Sequence, residues 1–461
     1  ALVRKYDPLY MENRLEEYYD RINTECKELW NISEKLGQRL SSYLLLISEI
    51  IRIIWDEGDS LVGPGRGSSS GFLTNYLLDI VQVNPLEAEV ELPHWRFISE
   101  HRVSLPDIDI DTESRRRERI LQALRKNFGG ESRVVNVATF GTEKSKSAIQ
   151  TAARGLGISD DEATYLSSMV PSERGFLWSL KDCYYGNVEE GRAPIQQFVN
   201  EMDTNYPELW KVAQHIEGLI SRRGIHAAGI LISNEDFYEH NAIMKAPNGA
   251  LTSQFELSDT EYLGGVKLDL LSIEALDKIR VALDLLVEYN YVDRYRKLKD
   301  TYMSVLDPAN KKVLNYDNPA IWDLVAKGEV LSLFQLDTPV GMTAAKQVKP
   351  RNIAELSSIN SLMRLMASEG EMPLDTFMRH RENPSIWENE MEQAGLSKTE
   401  RDILHEHLDS RYGVAESQES MMILAMDERI AGFTVADADA LRKAVAKKSY
   451  EDFEKVEALF Y

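Results

Sequence analysis

The segment Leu105-Pro106-Asp107-Ile108-Asp109-Ile110-Asp111 constrains the fold of this chain more than any other. Read as a strand, it sets Asp107, Asp109 and Asp111 on one face and the isoleucines on the other, because side chains alternate along an extended backbone. The isoleucines require a covered face, and so a sheet that lies against other elements. Three neighbouring carboxylates repel one another, and removing them from water raises the cost. A divalent cation is the usual compensation: Mg²⁺ takes one or two carboxylates and completes its shell with water and phosphate oxygens. The same pattern also suits an exposed acidic edge strand that blunts aggregation.

The chain has 461 residues, which at about 150 residues per domain implies roughly three units. With 43% hydrophobic and 28% charged residues it reads as globular, not disordered. Its densest apolar run, Tyr43 to Trp55, holds Glu49 and Arg52 and is shorter than the about 20 residues a membrane span needs. No signal peptide pattern opens the chain, and a start at Ala1 leads us to expect sequence upstream. The two cysteines, Cys26 and Cys183, exclude a Cys-rich zinc site and a disulfide scaffold and fit a reducing, cytoplasmic setting. Lys and Arg number 53 against 75 Asp and Glu, a net charge of −22. Taken alone, that charge argues against a nucleic-acid binder, which needs a basic surface to neutralise phosphates.

Along the chain, residues 1–60 show the three- and four-residue apolar spacing of amphipathic helices, through Leu15, Tyr18, Ile22, Leu29, Ile32, Leu36, Leu40 and Tyr43. The pattern stops at Gly58-Asp59. A short helical run follows from Phe72 to Val81, and a helix is expected from Glu113, capped by Thr112 or Ser114. Residues 140–220 read as mostly helical, 225–232 and 266–270 as buried strands, and the stretch from Ile273 onward as helical with breaks near Pro308 and Pro350.

Two further features carry chemistry. Val62 to Gly71 reads Val-Gly-Pro-Gly-Arg-Gly-Ser-Ser-Ser-Gly; glycines let a backbone gather N–H groups, serines add donors, and a helix N-terminus after the loop would add positive potential for an anion such as a triphosphate. It lacks the Gly-Lys-Ser/Thr ending of a P-loop, and a plain linker has the same composition. Val266-Lys267-Leu268-Asp269-Leu270 places Lys267 and Asp269 on one face of an aliphatic strand, which in isolation is a surface ion pair. Together the three segments supply a phosphate loop, paired carboxylates, a distant carboxylate and a lysine, the set that two-metal phosphoryl transfer uses.

These residues, in this order, resemble the bacterial C-family replicative DNA polymerases, the family of the DNA polymerase III alpha subunit. The resemblance runs through the Gly63–Gly71 loop and Pro106–Asp111 to Thr139-Phe140-Gly141-Thr142, His226-Ala227-Ala228-Gly229, and Gln254-Phe255 with Ser258 to Tyr262. It continues through Lys267-Leu268-Asp269, Phe334-Gln335-Leu336 with Gly341-Met342, Tyr412-Gly413-Val414 with Gln418-Glu419, and Ala436 to Lys448. It implies an α+β fold: a mixed-sheet, polymerase-beta-like nucleotidyltransferase palm (1–139 and 219–270), a helical thumb insertion (140–218) and a large, mostly helical fingers domain (271–461).

The function implied is DNA-templated DNA synthesis. Asp107, Asp109 and Asp269 would hold two Mg²⁺ ions, with Lys267 near the primer end or phosphates and Asp111 a supporting acid. Arg66, Gly67 and Ser68 would bind the incoming nucleotide, and Arg364, Arg442, Lys443, Lys447 and Lys448 of the fingers would hold its triphosphate or the template. His226 would be a palm residue near the site, or else a group that secures a tight Ala-Ala-Gly turn. The implied partners are primer–template DNA, dNTPs and, through regions outside this chain, a sliding clamp and other replisome proteins at the nucleoid. A template-independent nucleotidyltransferase and a catalytically inactive family member acting as a scaffold are the alternatives. Basic residues do cluster locally, and Arg115, Arg119 and Lys126 share one helix side that could follow a phosphate backbone or be an ordinary solvated face.

Departures from the family pattern mark a divergent, for instance phage-encoded, member. Arg364 continues as Leu365-Met366-Ala367-Ser368 in place of Pro-Gly-Pro, Ala446 replaces a glycine before the paired lysines, and Ser417 replaces an aromatic. No cysteine-rich zinc insertion separates the loop from the aspartates, unlike the Gram-positive proofreading type.

Overall fold

The computed structural model describes residues 14–88, 90, 92–99, 105–173, 176–188, 190–262, 266–310, 314–365, 371–447 and 455–459. It divides into two compact units, one formed by the chain up to Asn127 together with Asp269 onward, the other by Phe128–Leu268.

The first unit opens with α1 (Leu15–Leu36), whose buried positions Tyr18, Glu25, Leu29 and Ile32 follow the helical period and form one inner face. Its successor α2 (Leu40–Asp56) is rich in leucine and isoleucine and is correspondingly a core helix, with Leu40, Tyr43, Leu44, Ile47, Ile50, Ile51, Ile53 and Ile54 buried. Asp59 takes a left-handed turn (φ 49), and the chain enters the glycine-rich loop, which ends in a 3₁₀ turn at Gly67–Gly71 and the short helix Leu73–Leu77. Strand β1 (Asp109–Glu113) follows, then a 3₁₀ turn at Ser114–Arg116 and α3 (Arg117–Phe128). The expected cap is not made: Thr112 belongs to the strand, and the Ser114 hydroxyl donates to Asp277 instead.

In the second unit, β2 (Val134–Thr142) pairs antiparallel with β5 (Ile220–Ile232) and parallel, at Asn136, with β7 (Leu251–Ser253), itself antiparallel to β6 (Ile243–Lys245). Between β2 and β5 lies a helical insertion with α4 (Ser145–Gly155), α5 (Asp160–Ser168), a two-residue hairpin of β3 (Ser172–Glu173) and β4 (Phe176–Leu177), α6 (Gln196–Thr204) and α7 (Pro207–Ile216). It has its own core around Ile149, Leu166, Leu180, Phe198 and Trp210. Backbone bonds from Glu143 N to Leu219 O (2.9 Å) and from Gly218 N to Glu143 O (2.8 Å) pin its two ends together.

Strand β8 (Val266–Ile273) runs parallel to β1, and the main sheet has the order β1-β8-β5-β2-β7-β6. It is therefore a mixed sheet, as expected, although β2, β6 and β7 were not legible in the sequence. After α8 (Glu274–Glu288) the chain is helical: α9 (Pro339–Val348), α10 (Ile353–Leu362) and α11 (Pro373–Glu382) pack around Val330, Leu336, Ile359 and Phe377. Next come α12 (Pro384–Gln393), α13 (Lys398–Leu408), α14 (Gln418–Met426) and α15 (Val435–Lys447). Gly413 has φ 76, and a Cβ there would lie 2.5 Å from the Trp387 ring, so the Tyr-Gly-Val motif needs glycine on both counts. Ser417, where the family has an aromatic, caps α14 by accepting from the Ser420 amide at 3.1 Å; Met366–Ser368 lie outside the described residues.

Candidate active site

The alternation read from the sequence is present on both strands, although β1 begins at Asp109 and Asp107 and Ile108 precede it. Ile108, Ile110, Leu268 and Leu270 are buried, Asp109, Lys267 and Asp269 are half-buried and Asp107 is exposed. Parallel pairing puts Asp109 directly opposite Asp269, so the two carboxylates leave neighbouring strands on the same face. The buried Tyr43 of α2 feels their charge. Burial, and after it the charges of Asp107, Asp109 and Asp269, push its hydroxyl above the ordinary tyrosine value, while the Ile108 amide pulls the other way.

The strand pair is held from behind by residues that the sequence did not single out. Arg117 donates to the Leu270 carbonyl at 2.7 Å, which ties the strand of Asp269 to the helix that follows the strand of Asp109; its burial pulls the guanidinium below its usual range. Glu113, buried at the end of β1, accepts from the Leu61 amide at 2.6 Å and from Arg280 at 3.3 Å. Burial pushes its carboxyl up, opposed by those two donors.

The glycine loop is stitched to the carboxylate strand. Val62 bridges Thr112, Gly63 N donates to Asp111 O at 2.9 Å, and the Gln82 side chain donates to the Val62 carbonyl at 2.9 Å. Arg66 leans from the loop over the acids, 3.2 Å from Asp111 and 3.8 Å from Asp109. Asp111 is thus the partner of Arg66; burial raises its carboxyl above the ordinary range, against the pull of the guanidinium. One expectation fails here. The helix after the loop does not offer its N-terminus, because the Glu25 carboxylate already accepts from the Leu73 and Thr74 amides at 2.7 and 2.8 Å. Gly67 (φ 58) is open, with nothing within 4 Å of a Cβ placed there, and Ser68 stands beside it in the 3₁₀ turn.

The cations expected of the fingers are engaged locally. Arg364 donates to Gln335 and, at 3.2 Å, to Asn360. Arg442 and Lys443 both pair with Asp439, at 2.7 and 2.8 Å. Lys443 also lines a cavity of about 120 Å³ with Trp95, Arg96 and Met422. Lys447 ends α15, and Lys448 lies outside the described residues. His226 accepts from the Ala228 and Gly229 amides at 3.2 and 2.6 Å, where β5 slips register against β2, so it acts as the holder of a bulge. On α3, Arg119 pairs with Asp59 at 3.1 Å and Lys126 with Glu57 at 2.9 Å, so these two cations are occupied by acids of the chain itself.

The donor set suits a hard divalent cation: carboxylate oxygens on adjacent strands, beside a glycine-rich loop. Among the described residues no group of three or more His, Cys, Asp or Glu side chains is placed to hold a metal ion; Asp109 and Asp269 share a face.

Comparison with known proteins bears on the family of the chain. The family model described as bacterial DNA polymerase III alpha NTPase domain matches residues 2–272, and that described as bacterial DNA polymerase III alpha subunit finger domain matches 288–461. The chain is 49% identical over 445 residues to the probable DNA polymerase YorL of Bacillus subtilis (strain 168) and to the DNA-directed DNA polymerase of Bacillus phage SPbeta; each match covers 96% of this chain and 34% of the relative. It is 31% identical over 428 residues to the DNA polymerase III subunit alpha of Thermus aquaticus, which covers 92% of this chain and 32% of that one. The chain therefore spans about a third of the length of these relatives. The family matches over residues 2–272 and 288–461, with the 49% and 31% identical relatives, show that the chain belongs to the bacterial DNA polymerase III alpha family.

Proposed function

We propose that this chain carries the catalytic centre of a DNA-templated DNA polymerase, with palm 1–139 and 219–270, thumb 140–218 and fingers 271–461. The observation that supports it most strongly is the pairing of Asp109 with Asp269 across β1 and β8, on the strand to which the glycine loop is bonded. Asp107, Asp109 and Asp269 would hold two Mg²⁺ ions, which when bound supply charge neutralisation and activation of a primer 3′-hydroxyl. Gly67 and Ser68 would receive the triphosphate of the dNTP from the open side of the 3₁₀ turn. Arg66, half-exposed beside Asp111, would turn its guanidinium to the phosphates, and Lys267 would neutralise charge near the primer end. Arg364, Arg442, Lys443, Lys447 and Lys448 would close over the triphosphate, Arg364, Arg442 and Lys443 by exchanging their present partners for it. Attack of the 3′-hydroxyl on the alpha-phosphorus then forms the new phosphodiester and breaks the bond to pyrophosphate.

Among the described residues no helix is long and apolar enough to cross a membrane. Replication of DNA would place the protein at the nucleoid, with clamp and replisome contacts made through other segments. The test is single-nucleotide primer extension by the full protein on four templates that differ in the first unpaired base. Incorporation of only the complementary dNTP is expected. Addition of any nucleotide regardless of template would indicate a template-independent transferase, and no addition at all an inactive scaffold.

A further inference from the structure

The carboxylate of Glu25 is fully buried, at 0% exposure, and belongs to no part of the chemistry above. A buried carboxylate is costly unless its oxygens are satisfied, and those of Glu25 are. They accept from Arg21 Nε at 2.8 Å, from the Leu73 amide at 2.7 Å, and from the Thr74 amide and hydroxyl, each at 2.8 Å. Arg21 in turn donates to the Gly71 carbonyl at 2.6 Å and the Leu92 carbonyl at 3.3 Å. One ion pair on α1 thereby grips the chain at Gly71, Leu73 and Thr74, where the glycine loop ends. The grip is relayed inward. The buried Asn75 donates from Nδ2 to Ser69 O at 3.0 Å, and Ser69 donates from Oγ to Arg66 O at 2.7 Å. No slack exists on the other side either, since a Cβ at Gly71 would lie 2.9 Å from Pro93 O.

A buried ion pair is a poor device for stability alone, because desolvation offsets most of the attraction. It is a good device for fixing geometry. It also has an electrostatic consequence: the amides of Leu73 and Thr74 face a carboxylate, so no phosphate can settle on them. We infer that Glu25, held by Arg21, is a positioning residue for nucleotide recognition, which fixes the exit of the loop and turns the triphosphate away from the helix that follows, onto the upstream turn at Gly67–Ser70. The inference rests on the polymerase reading for the identity of the anion.

The test uses the full protein with Glu25→Gln, which keeps the volume but presents an amide donor to the Thr74 amide, and Thr74→Val, which removes a single donor. The KM for the templated dNTP and kcat are measured in primer extension. Binding of the same dNTP to the protein–primer–template complex is measured with Ca²⁺ in place of Mg²⁺. Glu25→Gln should raise KM and the Ca²⁺-supported Kd about tenfold, with kcat within about twofold and primer–template affinity unchanged. Thr74→Val should move both in the same direction by about threefold. A fall in kcat at constant KM would mean loss of folded enzyme only, and it overturns the inference, as do parental values in both variants. If Glu25→Gln does not fold, Thr74→Val decides by the same criterion. If the parent itself incorporates nothing, the polymerase reading fails instead, and unchanged dNTP binding in Glu25→Gln still overturns this one.

Discussion

At Gly63 the backbone runs so close to β1 that a Cβ would lie 2.7 Å from the Cβ of Asp111. The clash is against a partly buried side chain whose strand is locked by Arg117 and Glu113, so neither side can yield cheaply. Gly63→Ala should therefore destabilise the protein by about 1–3 kcal/mol and raise the KM for nucleotide, because the loop must lift from the carboxylate strand. Thermal unfolding together with a dNTP titration checks this, and a variant with parental Tm and KM would show that the loop moves freely. At this scale Asp107, Asp109, Asp269 and the glycine loop were legible in the sequence, since each signal is local: a period of two, or a run of glycines and serines. Tyr43 and Glu25 were not. Tyr43 sits in an aliphatic helix and reads as one more apolar position, and Glu25 finds its partners 48 and 49 residues away, a distance over which no local pattern carries information.

Among elements, helices α1 and α2 and strands β1 and β8 follow from periodicity, while β2 does not. Its first five residues are buried on both faces, so it shows no alternation, and β6 and β7 are three residues each. Helix packing in the 384–409 region carries a pH dependence. His405 of α13 bonds Asp409 at 2.6 Å and Glu388 of α12 at 2.9 Å, and Arg401 shares Glu388 at 2.9 Å. The bonds to Asp409 and Glu388 hold the imidazole above its ordinary value. The folded state thus favours the protonated ring. The stability this brings is complete below the unfolded value of about 6.5 and is lost as pH rises through the raised folded value. His405→Gln should accordingly lower Tm more at about pH 5.5 than at about pH 9. An equal decrement at both would mean that the imidazole contributes packing against Trp387, with ring centroids 4.5 Å apart, and no charge.

For the whole molecule, the net charge of −22 is accompanied by internal pairing of cations, which the proposed function on DNA requires some of them to give up. The basic residues that stand out in the sequence are in several cases already held by acids of this chain: Arg119 and Lys126 by Asp59 and Glu57, Arg442 and Lys443 by Asp439. Sequence clusters of Lys and Arg could not reveal this, because each acid lies on another turn or another element. What the fold does bring together is the carboxylate pair of β1 and β8 beside the glycine loop, and we propose that this pair performs the chemistry. Asp109→Ala in the full protein tests it most directly, in primer extension with Mg²⁺ and all four dNTPs, with primer–template affinity measured in parallel. Extension is expected to fall by at least about a hundredfold while DNA binding stays at the parental level. Extension at close to the parental rate would contradict it.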